Sequence, residues 1–291
     1  MTARAMPPPV PRRGLRPYRL AGPSWCLPVV FFLAVFFVVP LAANLLRSAP
    51  AGEAGGVLFY YEKLLTDGYY VGILLETLKV ALVATLASLV VGYPVAYFMV
   101  RHAGRWNGVI VFFVVVPLLT SIIMRTFGWR VLLSRRGLLN AGLLDWGLIT
   151  RPTDIAETSI AVYIGLVHVL VPFMVLSISS VLQGVDVRLE ETARVLGAGR
   201  LRTFLHVTLP LSVDGIVTGC ILVFVVTNGS FLTMLLLGGG KINTLALLIY
   251  QQFVTTQDVG FAAAMGNVLM LVAALCFGMQ YWLLRRTGIR R

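Results

Sequence analysis

Six long apolar runs dominate the chain, at residues 25–46, 80–100, 106–124, 159–182, 216–237 and 261–284, and none of them contains an Asp, Glu, Lys or Arg. The hydrocarbon core of a bilayer is about 30 Å thick, so one helical crossing takes roughly 20 apolar residues. Each run meets or nearly meets that length. Strands are excluded by pattern, because a membrane barrel alternates polar and apolar residues and these runs do not. Backbone groups in lipid must be satisfied within the segment, which leaves α-helices. Charged residues are 12% of the chain, about half of the roughly 25% that clothes a soluble domain. The sequence therefore predicts an all-α integral membrane protein with six transmembrane helices.

The net charge of +12 would suggest nucleic acid in a soluble protein. Here the charges lie between apolar runs, and topology explains them better, so no nucleic-acid partner is expected. Placing the N-terminus inside collects Arg4, Arg12, Arg13, Arg16, Arg19, Arg101, Arg105, Arg188, Arg194, Arg200, Arg202, Arg285, Arg286, Arg290 and Arg291 on the cytoplasmic side, as the positive-inside rule asks. Arg130, Arg135, Arg136 and Arg151 go against it. Residues 1–22, with Pro7, Pro8, Pro9 and Pro11 among arginines, read as a disordered cytoplasmic tail, and 23–291 as the membrane domain. The first run is too long for a secretory signal and lacks a small-residue cleavage site, so it reads as a retained helix. Cys26, Cys220 and Cys276 fall in apolar runs without metal-ligand spacing and read as small buried hydrophobes; no metal site is expected.

The connection 186–210, DVRLEETARVLGAGRLRTFLHVTLP, carries the most information. Asp186 is suited to an N-cap, with Glu190 and Glu191 near the positive end of the following helix. Leu189, Ala193 and Leu196 form a short amphipathic face. Gly197-Ala198-Gly199 interrupts it, Gly197 being suited to a left-handed C-terminal position. A second short helix is predicted, with Pro210 opening the fifth span. On composition alone this is equally a surface helix that anchors a loop.

The spacing resembles the EAA signature of ABC-importer permeases, E-A-A, three residues, G, nine residues, then I-x-L-P. Here it reads Glu191-Thr192-Ala193, Gly197 and Val207-Thr208-Leu209-Pro210, with Thr192 and Val207 as the departures. GYPVAYFMVR, PLLTSIIMRTFGW, RRGLLN, VHVLVPFMVL and LLLGGG resemble the spermidine/putrescine branch of the same family. The resemblance implies a type I ABC-importer transmembrane domain in a bacterial inner membrane, with both termini cytoplasmic. It implies two ATPase subunits, a second homologous permease of different sequence, an external solute-binding protein and a lipid surround. The solute would be a polyamine or a related small polar molecule. Residues Glu191, Thr192, Ala193, Leu196, Gly197, Ala198 and Pro210 would belong to the coupling element. ATP and Mg are expected on the partner, because a P-loop is absent: Gly240-Lys241-Ile242 lacks the Ser/Thr that must follow the lysine. No cofactor and no catalytic group are expected on this chain.

Three polar residues are candidates for the translocation path. Arg125 either snorkels beside Trp129 to an interface or serves the path or an ion pair. His168 is a packing residue or a pore ligand. Asn228 lines the path or bonds a neighbouring helix. A secondary transporter or a membrane enzyme is the alternative reading. The first would carry its own mid-membrane ion site; the second would need catalytic groups that His102, His168 and His206, in separate segments, do not make.

Overall fold

The computed structural model describes residues 26–49 and 58–288, so the expected tail at 1–22 lies outside the described residues. Every regular element among the described residues is helical. The chain divides into two compact units between Ala43 and Asn44. The first contains most of α1 (Leu27–Arg47), whose 21 residues rise about 31 Å, enough for one crossing. Phe32 and Phe36, one turn apart, hold their rings 4.3 Å apart.

The second unit is built on three helices. After α2 (Phe59–Thr66), α3 (Gly68–Arg101) runs for 34 residues, about 51 Å, longer than the hydrocarbon core. Then come α4 (Asn107–Leu119), α5 (Ile122–Leu133), α6 (Leu138–Asp145) and α7 (Ser159–Gln183). The short α8 (Val187–Val195), α9 (Arg200–Thr203) and α10 (Leu209–Leu211) lead to α11 (Val213–Asn228), α12 (Phe231–Leu237), α13 (Leu245–Gln251) and α14 (Val259–Gly288). The helices α3, α7 and α11 pack against one another. On α7 the buried Leu166, Leu170, Met174, Ile178 and Leu182 recur every fourth residue, the spacing that forms one helical ridge.

What this ridge meets is small. A Cβ added at Gly92 of α3 would lie 2.9 Å from Met174 Cγ, and one at Gly219 of α11 would lie 2.7 Å from Met174 Sδ. Gly215, one turn before Gly219, faces the Ser177 carbonyl and Ile178 Cα at 3.0 and 3.1 Å in the same sense. Small residues let backbones approach closely in lipid, where helix association draws on van der Waals packing. Three buried hydroxyls are satisfied within their own helices: Thr77 donates to Ile73 O, Thr85 to Ala81 O and Thr227 to Val223 O, each at 2.7 Å.

Among the described residues four helices are long and apolar enough to cross alone, and the count reaches six when each of two bent pairs is one span. Two of the expected continuous runs are broken, the third and the fifth. The third span breaks at Thr120, whose backbone is extended, and its two limbs meet at 100°. Pro117 weakens the end of α4, and Thr120 Oγ1 turns back to Pro117 O at 2.9 Å. The fifth span breaks at Gly229–Ser230, where Ser230 Oγ donates to Val226 O and Asn228 Nδ2 to Phe224 O. Such local side-chain bonds offer the backbone an alternative to the helical ladder. Pro210 does not open this span. It lies in α10, after a π-turn at Phe204–Thr208, and a 64° bend near Ser212 precedes α11.

At the other end of the unit, Asn44 Nδ2 donates to Asn267 Oδ1 at 2.7 Å. Asn267 Nδ2 in turn donates to Ser48 Oγ at 3.1 Å and Tyr61 Oη at 2.8 Å. This clamp joins the last turn of α1, α2 and α14, with both amide atoms of Asn267 used. Beside it Leu64, Ile73, Leu245, Leu248, Phe261 and Met265 form a second apolar cluster.

Candidate functional site in the 186–210 loop

Helix α8 begins on Asp186, whose carboxylate accepts the Arg188 N–H at 2.9 Å. It ends in a Schellman arrangement: Ala198 N–H reaches Ala193 O and Gly197 N–H reaches Arg194 O, both at 3.0 Å. Gly197 takes φ +87°, the left-handed conformation that costs a side-chain-bearing residue roughly 1–2 kcal/mol. An added Cβ there would touch nothing within 4 Å. The conformation alone selects glycine within this chain, and the space above it is open.

Neighbouring residues on a helix point about 100° apart, and this separates the two carboxylates of the loop. Glu191 is exposed, as are Val195 and Leu196, the latter two at 87% and 82%. Among the described residues Glu191 enters no ion pair. Glu190 turns inward to the guanidinium of Arg101, Nε to Oε1 3.0 Å, a partner that local sequence does not announce. Thr192 spends its hydroxyl on Arg188 O at 2.8 Å, so its departure from alanine leaves no donor unmatched. Ala193, Leu196, Gly197 and Ala198 line an open hollow of about 360 Å³ together with Arg202 and His206.

The second half of the loop is held by aromatic contacts. Phe204 sits edge-on to Tyr93 and Tyr97 of α3, with centroids 5.5 and 5.8 Å apart. Tyr93 and Ser212 share a hydroxyl–hydroxyl hydrogen bond of 2.9 Å. Pro210 follows the π-turn, in which Leu209 N–H reaches back to Phe204 O. The loop thus presents one outward face, while its inner face is pinned to α3.

The three path candidates are separate from this loop. Arg125, in the first turn of α5, donates to the carbonyls of Pro117 and Thr120 and to Thr120 Oγ1. It caps the end of α4 across the break. One turn on, Trp129 Nε1 donates to His168 Nδ1 at 3.1 Å. Both rings border an apolar cavity of about 730 Å³ between α3, α4, α5 and α7, with Phe113 and Tyr163 among its walls. Asn228 stands at the break of the fifth span, and its Oδ1 is buried without a protein partner. It shares no hydrogen bond with Arg125 or His168.

A family model described as binding-protein-dependent transport system inner membrane component matches residues 24–289. The chain belongs to that family. It is 40% identical to the spermidine/putrescine transport system permease protein PotB of Escherichia coli (strain K12), over 76% of this chain and 80% of that protein. PotB of Haemophilus influenzae (strain ATCC 51907 / DSM 11121 / KW20 / Rd) is 34% identical over 87% of this chain and 91% of its own length. In fold it resembles a bacterial ABC transporter involved in the import of the acidic polysaccharide alginate, with a TM-score of 0.72 at 17% identity over 90% of this chain and 94% of that one. This permease subunit of an ABC importer is thus a multi-pass, all-helical inner-membrane component that depends on a binding protein. A secondary transporter or membrane enzyme no longer competes.

Proposed function

We propose that the 186–210 loop is the coupling element of the permease, docking into a separate ATPase subunit that holds ATP and Mg. The observation that carries this reading is the outward face of α8. Glu191, Val195 and Leu196 are exposed together beside a left-handed Gly197 with open space above it. A charged group and two large apolar side chains on a capped, fixed helix make a surface for a protein partner, not for bulk water. Both termini then lie in the cytoplasm with the loop. Cysteines introduced at Leu196 and Thr66 test this orientation. Membrane-impermeant thiol reagents are expected to reach Leu196→Cys from the cytoplasmic side only and Thr66→Cys from the outside only. Labelling of both from one side rules the orientation out.

One chain offers one docking element, whereas two ATPases need two. We infer a second permease of different sequence at this chain's side. Native mass spectrometry of the purified importer is expected to find one copy of this chain per complex; two copies would refute the heterodimer.

The solute we propose is a polyamine, on the likeness to the two PotB proteins. The six apolar runs contain no acidic residue, so carboxylates that neutralise a polycation come from the binding protein and the second permease. Thermal-shift measurements on the cognate binding protein test this class. Stabilisation by putrescine or spermidine is expected, and a response confined to anionic or zwitterionic solutes would exclude polyamines.

A further inference from the structure

The loop has two neighbouring carboxylates, and the docking face needs only one of them. The other lies in a buried ion pair whose side chains are 2% exposed at Glu190 and 6% at Arg101. Arg101 is the last residue of α3, and a cation there also suits the negative end of the helix dipole. While Nε holds Glu190, Nη2 donates to Val185 O at 3.1 Å. Val185 lies in the two-residue link between α7 and the cap of α8. Arg194 approaches the second oxygen of Glu190 at 3.6 Å. One guanidinium therefore ties the end of α3, the exit of α7 and the middle of α8 into a single node.

A buried ion pair is a poor device for stability alone, since desolvation offsets most of its attraction. Its contribution is geometric: two charges that cannot be solvated elsewhere hold one arrangement. Phe204 and Ser212 fasten only the second half of the loop to α3. Glu190 joins α8 to a spanning helix, through its ion pair with Arg101 and a side-chain hydrogen bond with Tyr97, both on α3. Without them, displacement of α8 by a partner would be absorbed at the Val185–Asp186 hinge and would not reach the spans.

We propose that Arg101 and Glu190 form a latch through which movement of α8 is passed to α3 and α7. Glu190 is thus a positioning residue, and Glu191 is the carboxylate that meets the ATPase. The latch rests on the docking reading given above. The test uses the whole importer, reconstituted in lipid nanodiscs for hydrolysis and in proteoliposomes for uptake, with each variant inserted at wild-type abundance. In Glu190→Gln and in Arg101→Gln, co-purification of the ATPase is expected to stay at the wild-type level. Hydrolysis stimulated by the loaded binding protein should fall at least tenfold while basal hydrolysis persists, and uptake should fall at least tenfold. Arg101→Lys, which keeps the charge, should recover part of that loss.

A single variant leaves one buried charge without its partner and can fail to insert. The Arg101→Gln/Glu190→Gln double variant removes both charges and decides that case. It is expected to insert and to bind the ATPase, yet to transport at less than a tenth of the wild-type rate. Wild-type uptake by the double variant overturns the latch. So does a loss of ATPase co-purification in proportion to the loss of uptake, because the pair would then merely shape the docking face. Wild-type association and uptake in Glu191→Ala would instead overturn the docking reading. A failed latch is distinguishable from this, since it leaves Glu191→Ala defective and the double variant active.

Discussion

Replacing Glu191 with alanine is expected to detach the ATPase from this permease or to uncouple its hydrolysis from uptake. A charge that is buried and paired across a protein interface loses roughly 2–5 kcal/mol when its counterpart is removed, which weakens association by about 30-fold to several thousandfold. Nothing inside the chain should change, because Glu191 is exposed and outside every intramolecular ion pair of the described residues. Gly197→Val should act by another route. At φ +87° a β-branched residue carries roughly 1–2 kcal/mol of strain, and relieving it re-aims Leu196 and Ala198. Uptake in proteoliposomes, measured with pull-down of the ATPase at equal membrane abundance, checks both. Normal association and normal uptake in the two variants would reduce 186–210 to an amphipathic surface loop.

A large loss of stability is expected at Gly215. A valine there brings its Cβ to 3.0 Å from the Ser177 carbonyl oxygen and 3.1 Å from Ile178 Cα. Both are backbone atoms of α7, so relief requires the two helices to separate. Overpacking costs typically 1–3 kcal/mol, and backbone contacts place this site at the upper end. Gly219→Ala should cost less, because the atom met first is Met174 Sδ on a flexible side chain. Gly278→Ala, where nothing lies within 4 Å, should stay within about 0.5 kcal/mol of wild type. Thermal unfolding of the detergent-solubilised permease should rank the three in that order, and equal midpoints would refute the packing account.

How much of this was legible in the sequence depends on the range of the physics involved. Hydropathy integrates over about 20 residues, so the first, second, fourth and sixth spans were readable. The breaks at Thr120–Ser121 and Gly229–Ser230 were not, because Thr, Ser, Asn and Gly hardly lower a window average. Their effect comes from single hydroxyl-to-carbonyl bonds, such as Ser230 to Val226. Arg125 looked like an interface anchor or a path residue; that it caps α4 depends on a bend the hydropathy hides. Asp186 and Gly197 were readable, since a cap and a positive φ each have a residue signature. The opposite fates of Glu190 and Glu191 were not. Two adjacent glutamates are alike locally, and what distinguishes them is an arginine 89 residues away.

The amide clamp at Asn44 has a consequence for how the chain is made. Asn44 and Asn267 are 223 residues apart, so at roughly 5–20 residues per second the second amide is synthesised about 11–45 s after the first. Until then Asn44 and Ser48 lack their long-range partner, and the end of the earliest helix waits for the last one. Closure of the clamp is therefore among the final events of assembly. A nascent chain halted before Asn267 would carry an open seam along the end of α1 and α2.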